Sequence, residues 1–176
     1  MGAARFDLRL WVAQGFGIGR VPFAPGTFGS LLGLLWFAFL LSLGNWVWFG
    51  LGTVVGFFIS VWLCGAGEKI LSQKDPGSVV LDEITALPFC FVAAIATWIH
   101  RHGKWPMLQE FFAARNWLWC LGILALFRIF DIAKPWPVKQ SQSLPGGWGV
   151  TVDDFLAAIY VNLVASLGWY FKNLLY

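Results

Sequence analysis

Two adjacent pairs of acids stand out in a chain otherwise poor in charge: Asp82-Glu83 in VVLDEITALPF and Asp153-Asp154 in VTVDDFLAAIY. With Asp131 they make five of the nine acidic residues, and all five lie toward the ends of apolar runs. An ionisable group at a bilayer centre costs roughly 2.5–3.5 kcal/mol, less near the edge, so each of these acids calls for a partner. Neighbouring residues on a helix point about 100° apart. One acid of each pair can therefore face the interior of a bundle while the other holds a base. A lone Asp153 or Asp154 would also serve as a helix N-cap; the pairing asks for more. Clustered carboxylates without His or Cys beside them suit a hard cation. Mg²⁺ is the usual one, because it keeps several waters and reaches substrate phosphate.

The basic complement sits in FRIFDIAKPWP. Arg128, Asp131 and Lys134 are spaced i, i+3, i+6 and share a helix face, and Pro135 argues that the helix stops at Lys134. Arg128 lies deep in an apolar run, where it either pairs with Asp131 or another acid or clamps a phosphate through its guanidinium fork, and one role does not exclude the other. In GRVPFAPGTFGSLLG, the residues Gly26, Thr27, Gly29 and Ser30 fall where the first long helix should start. Free N–H groups and small hydroxyls there make an anion site, although Pro-Gly-Thr also reads as a turn and cap. It is no Walker A loop, since no Gly-Lys-Ser/Thr follows. PGGWG at 145–149 is by default a flexible turn, or else a place where backbone approaches closely. Other candidates fail. The run from Cys64 lacks the arginine of a cysteine phosphatase loop, Asp131-Ile-Ala lacks a second aspartate, and His100 and His102 belong to the opposite side. Attack by a metal-activated water is then the favoured chemistry, with an aspartyl-phosphate route through Asp131 or Asp153 left open.

What must position these groups is a set of helices. Hydrophobic residues make up 59% of the 176 and charged residues only 12%, against roughly 25% charged in ordinary soluble domains. Mean hydropathy is +0.70, and 12 Trp and 17 Phe suit a lipid-facing surface and its headgroup boundary. The pattern predicts an all-α, polytopic membrane protein forming one unit over 1–176. Five apolar stretches, at about 28–44, 46–67, 79–99, 117–133 and 154–171, approach the roughly 20 residues a bilayer helix needs, the first and fourth falling short. The N-terminal segment is broken by Asp7, Arg9 and Gln14 and reads as an amphipathic start lying on the surface. Cys64, Cys90 and Cys120 sit inside apolar runs at no metal or redox spacing and read as buried free thiols. A net charge of +3 is too small and scattered to argue for nucleic acid.

The connections fall into two kinds. GFGIGRVPFAPGTFGS, EKILSQKDPGSVVLDE and FRIFDIAKPWPVKQSQSLPGGWGVTVDD are rich in Gly, Pro and charge; the others are plain. Five spans place the rich loops on one side. Seven basic residues (Arg5, Arg9, Arg20, Lys69, Lys74, Lys134, Lys139) lie on that side against four (Arg101, Lys104, Arg115, Lys172) on the other, which puts the rich face in the cytoplasm. Trp46, Trp48, Trp98, Trp105, Trp117, Trp119 and Trp169 gather toward the plain face as an aromatic belt.

Taken in order, GFGIGRVPFAPGTFGSLLG, DPGSVVLDE, and FRIFDIAKPWP followed by GGWGVTVDD resemble the phosphatidylglycerophosphatase A family of bacterial membrane phosphatases, over nearly the whole chain. The resemblance implies a helical, Mg²⁺-dependent enzyme of phospholipid biosynthesis in the inner membrane, with its site facing the cytoplasm. It would remove the terminal phosphate from phosphatidylglycerol phosphate to give phosphatidylglycerol. It assigns the recurring acids to Asp82, Glu83, Asp131, Asp153 and Asp154 and the bases to Arg128 and Lys134. On that reading Asp82, Glu83, Asp153 and Asp154 hold one or two Mg²⁺ and place a water, while Arg128, Lys134 and the backbone around Gly26 to Ser30 hold phosphate. Ala86 stands where the family usually has glycine, and Trp148 and Thr151 where it more often has aliphatic residues or Met. Two alternatives use the same residues: a small cation or proton transporter, which needs ionisable groups midway or on both sides, and a headgroup transferase, whose Asp-Gly and Ala-Arg signature is missing. Nothing in the sequence sets the oligomeric state.

Overall fold

Helix ends in this chain are written by a few residues. Asp7 caps the first short helix, its carboxylate accepting from the N–H groups of Arg9 and Leu10. Pro25 opens the first long helix at a position where its missing N–H costs nothing. Asn45 caps the second, accepting from Trp48 N–H at 3.0 Å. Lys134 ends a later one in the left-handed region, immediately before Pro135.

The computed structural model describes residues 6–113 and 116–175, with side chains as far as Phe171. Arg5, Arg115 and the side chain of Lys172, which entered the charge bias, lie outside the described residues. Among these residues there are nine α-helices, one 3-10 turn and no strand. They are α1 (Leu8–Ala13), the turn Ile18–Arg20, α2 (Pro25–Ser42), α3 (Trp46–Leu71), α4 (Leu81–Cys90), α5 (Val92–His102), α6 (Leu108–Phe111), α7 (Trp117–Ala133), α8 (Val138–Ser141) and α9 (Gly147–Leu175). Among the described residues four spans are long and apolar enough to cross a membrane: Pro25–Ser42, Trp46–Leu71, Leu81–His102 and Gly147–Phe171. The shortest has 18 residues, a rise of about 27 Å. α7, expected as the fifth, has 17 residues and carries Arg128 and Asp131 in its final turns.

Helix α4 is the hub. It packs against α2, α3 and α9 and touches α7, while α9 also packs against α3, α5, α7 and α8. The core around α4 includes Phe37, Leu40, Leu87, Phe91, Phe127, Ala157 and Val161, with Phe37 and Phe91 stacked at 4.0 Å between centroids. Small residues let the helices close up, as usual where lipid supplies no hydrophobic drive between them. A Cβ on Gly33 would stand 2.8 Å from the Cβ of Leu87. Ala86 is fully buried in the same core, so the residue that departs from the family's glycine is packed against its neighbours.

Three expectations change here. The stretch 79–99 is not one uninterrupted helix: Pro88 lacks an N–H, and the run breaks at Phe91. Asn162 of α9 fills the break, its amide donating to Phe89 C=O at 2.8 Å and accepting from Ala93 N–H at 2.7 Å. The last stretch begins at Gly147, not 154, so Asp153 and Asp154 lie inside α9 and cap nothing. PGGWG is therefore no loose turn. Gly147 meets the backbone of α3, where an added Cβ would fall 1.9 Å from Val61 O. The N-terminal segment, finally, is more than a surface helix: Ala13 and Gln14 are buried, and Ala13 C=O accepts from Val80 N–H at 3.0 Å, tying it to the start of α4.

Candidate active site

Each acidic pair divides its labour as helix geometry requires. Glu83 turns toward α7 and accepts from Arg128 at 2.8 Å, while Asp153 accepts from the Lys134 ammonium at 2.5 Å. Their neighbours Asp82 and Asp154 have no basic partner among the described residues and are buried, 5% and 3% exposed, as is Asp153 itself at 2%. Arg128 is shared: the Nη1 that reaches Glu83 also lies 2.8 Å from Asp131 Oδ2, one turn along α7. Both readings of Arg128 thus begin from an ion pair, now with two acids.

The bundle brings all five predicted acids together. Asp82 lies within electrostatic reach of Glu83 and Asp153, and Asp154 within reach of Asp131, Asp82, Asp153 and Glu83. Glycines of α2 wall the cluster. A Cβ at Gly26 would sit 2.1 Å from Glu83 Oε1 and 2.8 Å from both terminal nitrogens of Arg128, and one at Gly29 would sit 2.5 Å from Glu83 Oε2. The two glycines therefore bring α2 backbone to the ion pair. Ser30 is buried and donates to Gly26 C=O at 2.9 Å, so its hydroxyl is committed to its own helix, and Thr27 is exposed.

Lys134 stands outside the long spans, at the mouth. Burial works against its charge, but the hydrogen bond and charge of Asp153 outweigh it and hold the ammonium's pKa above the usual lysine value. Two residues that the sequence reading left out meet it here. Asp75 lies 3.9 Å from Lys134, and Gln142 donates to both Asp75 and Asp153 at 3.0 Å. Asp75 was hidden because Asp-Pro-Gly reads as a turn, and it does occupy one, at φ 46°; its place in the DPGSVVLDE motif was the available signal. Gln142 lies in a polar connection without a local pattern. Thr151, another of the departures from the family, shares a hydrogen bond with Ser60 of α3 at 3.0 Å.

The donor chemistry suits a hard divalent cation. Asp82 Oδ1, Glu83 Oε2 and Asp154 Oδ2 are buried and have no hydrogen-bond partner among the described residues, and carboxylate oxygens are what such an ion takes. Asp153, also expected as a ligand, has both oxygens engaged, Oδ2 by Lys134 and Gln142 and Oδ1 by the N–H of Asp154. Among the described residues no three His, Cys, Asp or Glu side chains are placed so as to hold a metal ion together. An ion that retains waters and completes its shell with substrate oxygen fits that arrangement better than one needing a full protein cage. The other end of the molecule holds Lys104 and Glu110, paired at 2.6 Å, with His102 stacked on Trp98 and His100 edge-on to Trp169. Cys64, Cys90 and Cys120 are buried free thiols.

Fold and site define a helical membrane protein with a buried acid–base cluster at one end of its bundle. Family comparison makes this specific: the sequence model of the Phosphatidylglycerophosphatase A family matches residues 11–169, and the chain belongs to that family. The phosphatidylglycerophosphatase A of Haemophilus influenzae is 38% identical over 154 residues, covering 87% of this chain and 83% of that protein. That of Escherichia coli is 32% identical over 149 residues, 84% of this chain and 76% of that protein. A Bacteroides thetaiotaomicron protein with the provisional name phosphatidylinositol-3-phosphatase is 36% identical over 168 residues, 92% of this chain and 94% of its own length. No solved structure matches the chain.

Proposed function

We propose that the chain hydrolyses the terminal phosphomonoester of phosphatidylglycerol phosphate, releasing phosphatidylglycerol and inorganic phosphate, in the bacterial inner membrane with its site toward the cytoplasm. The observation that carries the reading is the meeting of five family-type acids with Arg128 and Lys134 at one end of an apolar bundle, where a lipid headgroup sits.

The residues divide the work as follows. Arg128 and Lys134 exchange their carboxylate partners for the oxygens of the incoming phosphate and offset charge as the phosphorus–oxygen bond loosens. Gly26 and Gly29 let the phosphate come up against α2. A carboxylate of the cluster takes the proton of the attacking water, and the departing glycerol oxygen takes one back. Asp82, Glu83 and Asp154 would hold Mg²⁺, which when bound supplies Lewis-acid neutralisation of phosphate charge. An aspartyl-phosphate route through Asp131 or Asp153 would use the same cluster; hydroxylamine-sensitive phosphoenzyme would favour it. The one-sidedness of the cluster supports an enzyme over a cation or proton pathway, which needs groups midway or on both sides.

Detergent-purified protein is expected to release phosphate from phosphatidylglycerol phosphate with Mg²⁺ and to stop on chelation by EDTA. Folded protein that releases none in either condition overturns the reading. The provisional name of the Bacteroides relative favours a second headgroup, and phosphatidylinositol 3-phosphate belongs in the same assay. Faster release from it would move the substrate and leave the chemistry unchanged.

A further inference from the structure

Resting on the phosphatase reading, the helix arrangement says where the lipid's chains lie. Around α4, helix α3 packs against α9 and α9 against α7. Between α7 and α2 the ring is at its loosest: both touch α4, and any backbone contact between the two is slight, the helices coming together mainly through side chains such as Phe37 and Phe127 of the shared core. At one end of this gap Gly26 of α2 lies beneath the Arg128 guanidinium. At the other, the α2 end and α6 meet, with Trp105 Nε1 donating to Leu41 C=O at 2.8 Å.

The edges of this window are apolar. On α7, Leu121, Ala125, Arg128 and Ile132 follow one another at i, i+4, i+7, i+11 and share a stripe. Leu121, Ala125 and Ile132 are exposed, so Arg128 is the sole charge on an apolar, outward strip. Leu31 of α2 is exposed, and Leu34 of α2 is half-buried against the core. Two buried polar atoms without a hydrogen-bond partner among the described residues, Arg128 Nε and Glu83 Oε2, lie at the window's charged end. An exposed apolar strip that runs up to a guanidinium fits a molecule with an acyl chain at one end and phosphate at the other.

We infer that an acyl chain of the diacyl phospholipid substrate lies in the window between α2 and α7, along the Leu121–Ala125–Ile132 strip, and that the headgroup reaches the acids from this side past Arg128.

The test uses the whole chain with one added cysteine, since the native thiols are buried. Ala125→Cys places it in the window, and Val55→Cys places it on the exposed surface of α3. Each protein is assayed before and after modification with pyrene maleimide, on long-chain phosphatidylglycerol phosphate in mixed micelles and on its water-soluble dibutanoyl analogue. Modified Ala125→Cys is expected to lose at least tenfold in kcat/KM on the long-chain lipid and less than twofold on the short one, with Val55→Cys unaffected. Unchanged long-chain turnover after full modification at 125 overturns the inference. So does an equal loss on both substrates, which would place the label on the chemistry. If the unmodified variants release phosphate from neither compound, the phosphatase reading itself falls and takes this one with it.

Discussion

Arg128 is the residue on which the site turns, because one guanidinium nitrogen serves Glu83 and Asp131 at the same distance, 2.8 Å. Removing it would leave Glu83 and Asp131 facing each other without their shared base and, in the proposed function, would strip the phosphate of its fork. Arg128→Ala and Asp82→Asn are each expected to lower turnover at least a hundredfold, about 2.7 kcal/mol of transition-state stabilisation. Arg128→Lys should recover little, since an ammonium lacks the planar fork of N–H donors that takes two phosphate oxygens at once. The check is kcat on phosphatidylglycerol phosphate for variants that elute from gel filtration like the parent. Near-normal turnover in either the alanine or the asparagine variant would remove that residue from the site. Gln142 is a different case. It touches Asp75 and Asp153 rather than open space, so it orders the cluster and is not expected to touch phosphate.

At the scale of elements, two contacts hold the helices that carry the acids. Asn162 repairs the α4–α5 break with bonds to Phe89 and Ala93, and Gly147 lets the start of α9 lie on α3. Asn162→Leu keeps the size but leaves an N–H and a carbonyl unmet in an apolar surround. It should cost about 1 kcal/mol, in line with polar contacts between membrane helices. Gly147→Ala should cost more, about 1–3 kcal/mol, because the new methyl would meet backbone at Val61 rather than a movable side chain. Unfolding in mixed micelles, followed by tryptophan fluorescence, orders the two. A Gly147→Ala variant as stable as the parent would mean that α9 can shift without loss.

For the molecule as a whole, the proposed orientation has a direct test. Lys139 lies on the loop side of the site and Gln109 on the opposite end, and both are exposed. With the native cysteines buried, a membrane-impermeant maleimide should label Gln109→Cys in intact spheroplasts and Lys139→Cys only in inverted vesicles. The reverse pattern would turn the protein over and place the acids outside the cytoplasm.

The sequence alone determined the helical membrane class, the five acids, the two bases and the family, because each rests on local composition and on motifs whose residues are close in the chain. Even the split of each acidic pair into one base-bound member and one without a basic partner among the described residues follows from the 100° between neighbours on a helix. Asp75 and Gln142 were beyond such reasoning. The two lie 67 residues apart in the chain, and side chains so far separated meet only once α3, α7 and α9 have packed. The same holds for the α4–α5 break, where Pro88 and Asn162 are tied only through the packed helices, and for the early start of α9, which depends on Gly147 finding the backbone of α3. Tertiary structure also decided where the ring is loosest, since the slight contact between α2 and α7 belongs to the arrangement around α4 and to neither helix alone.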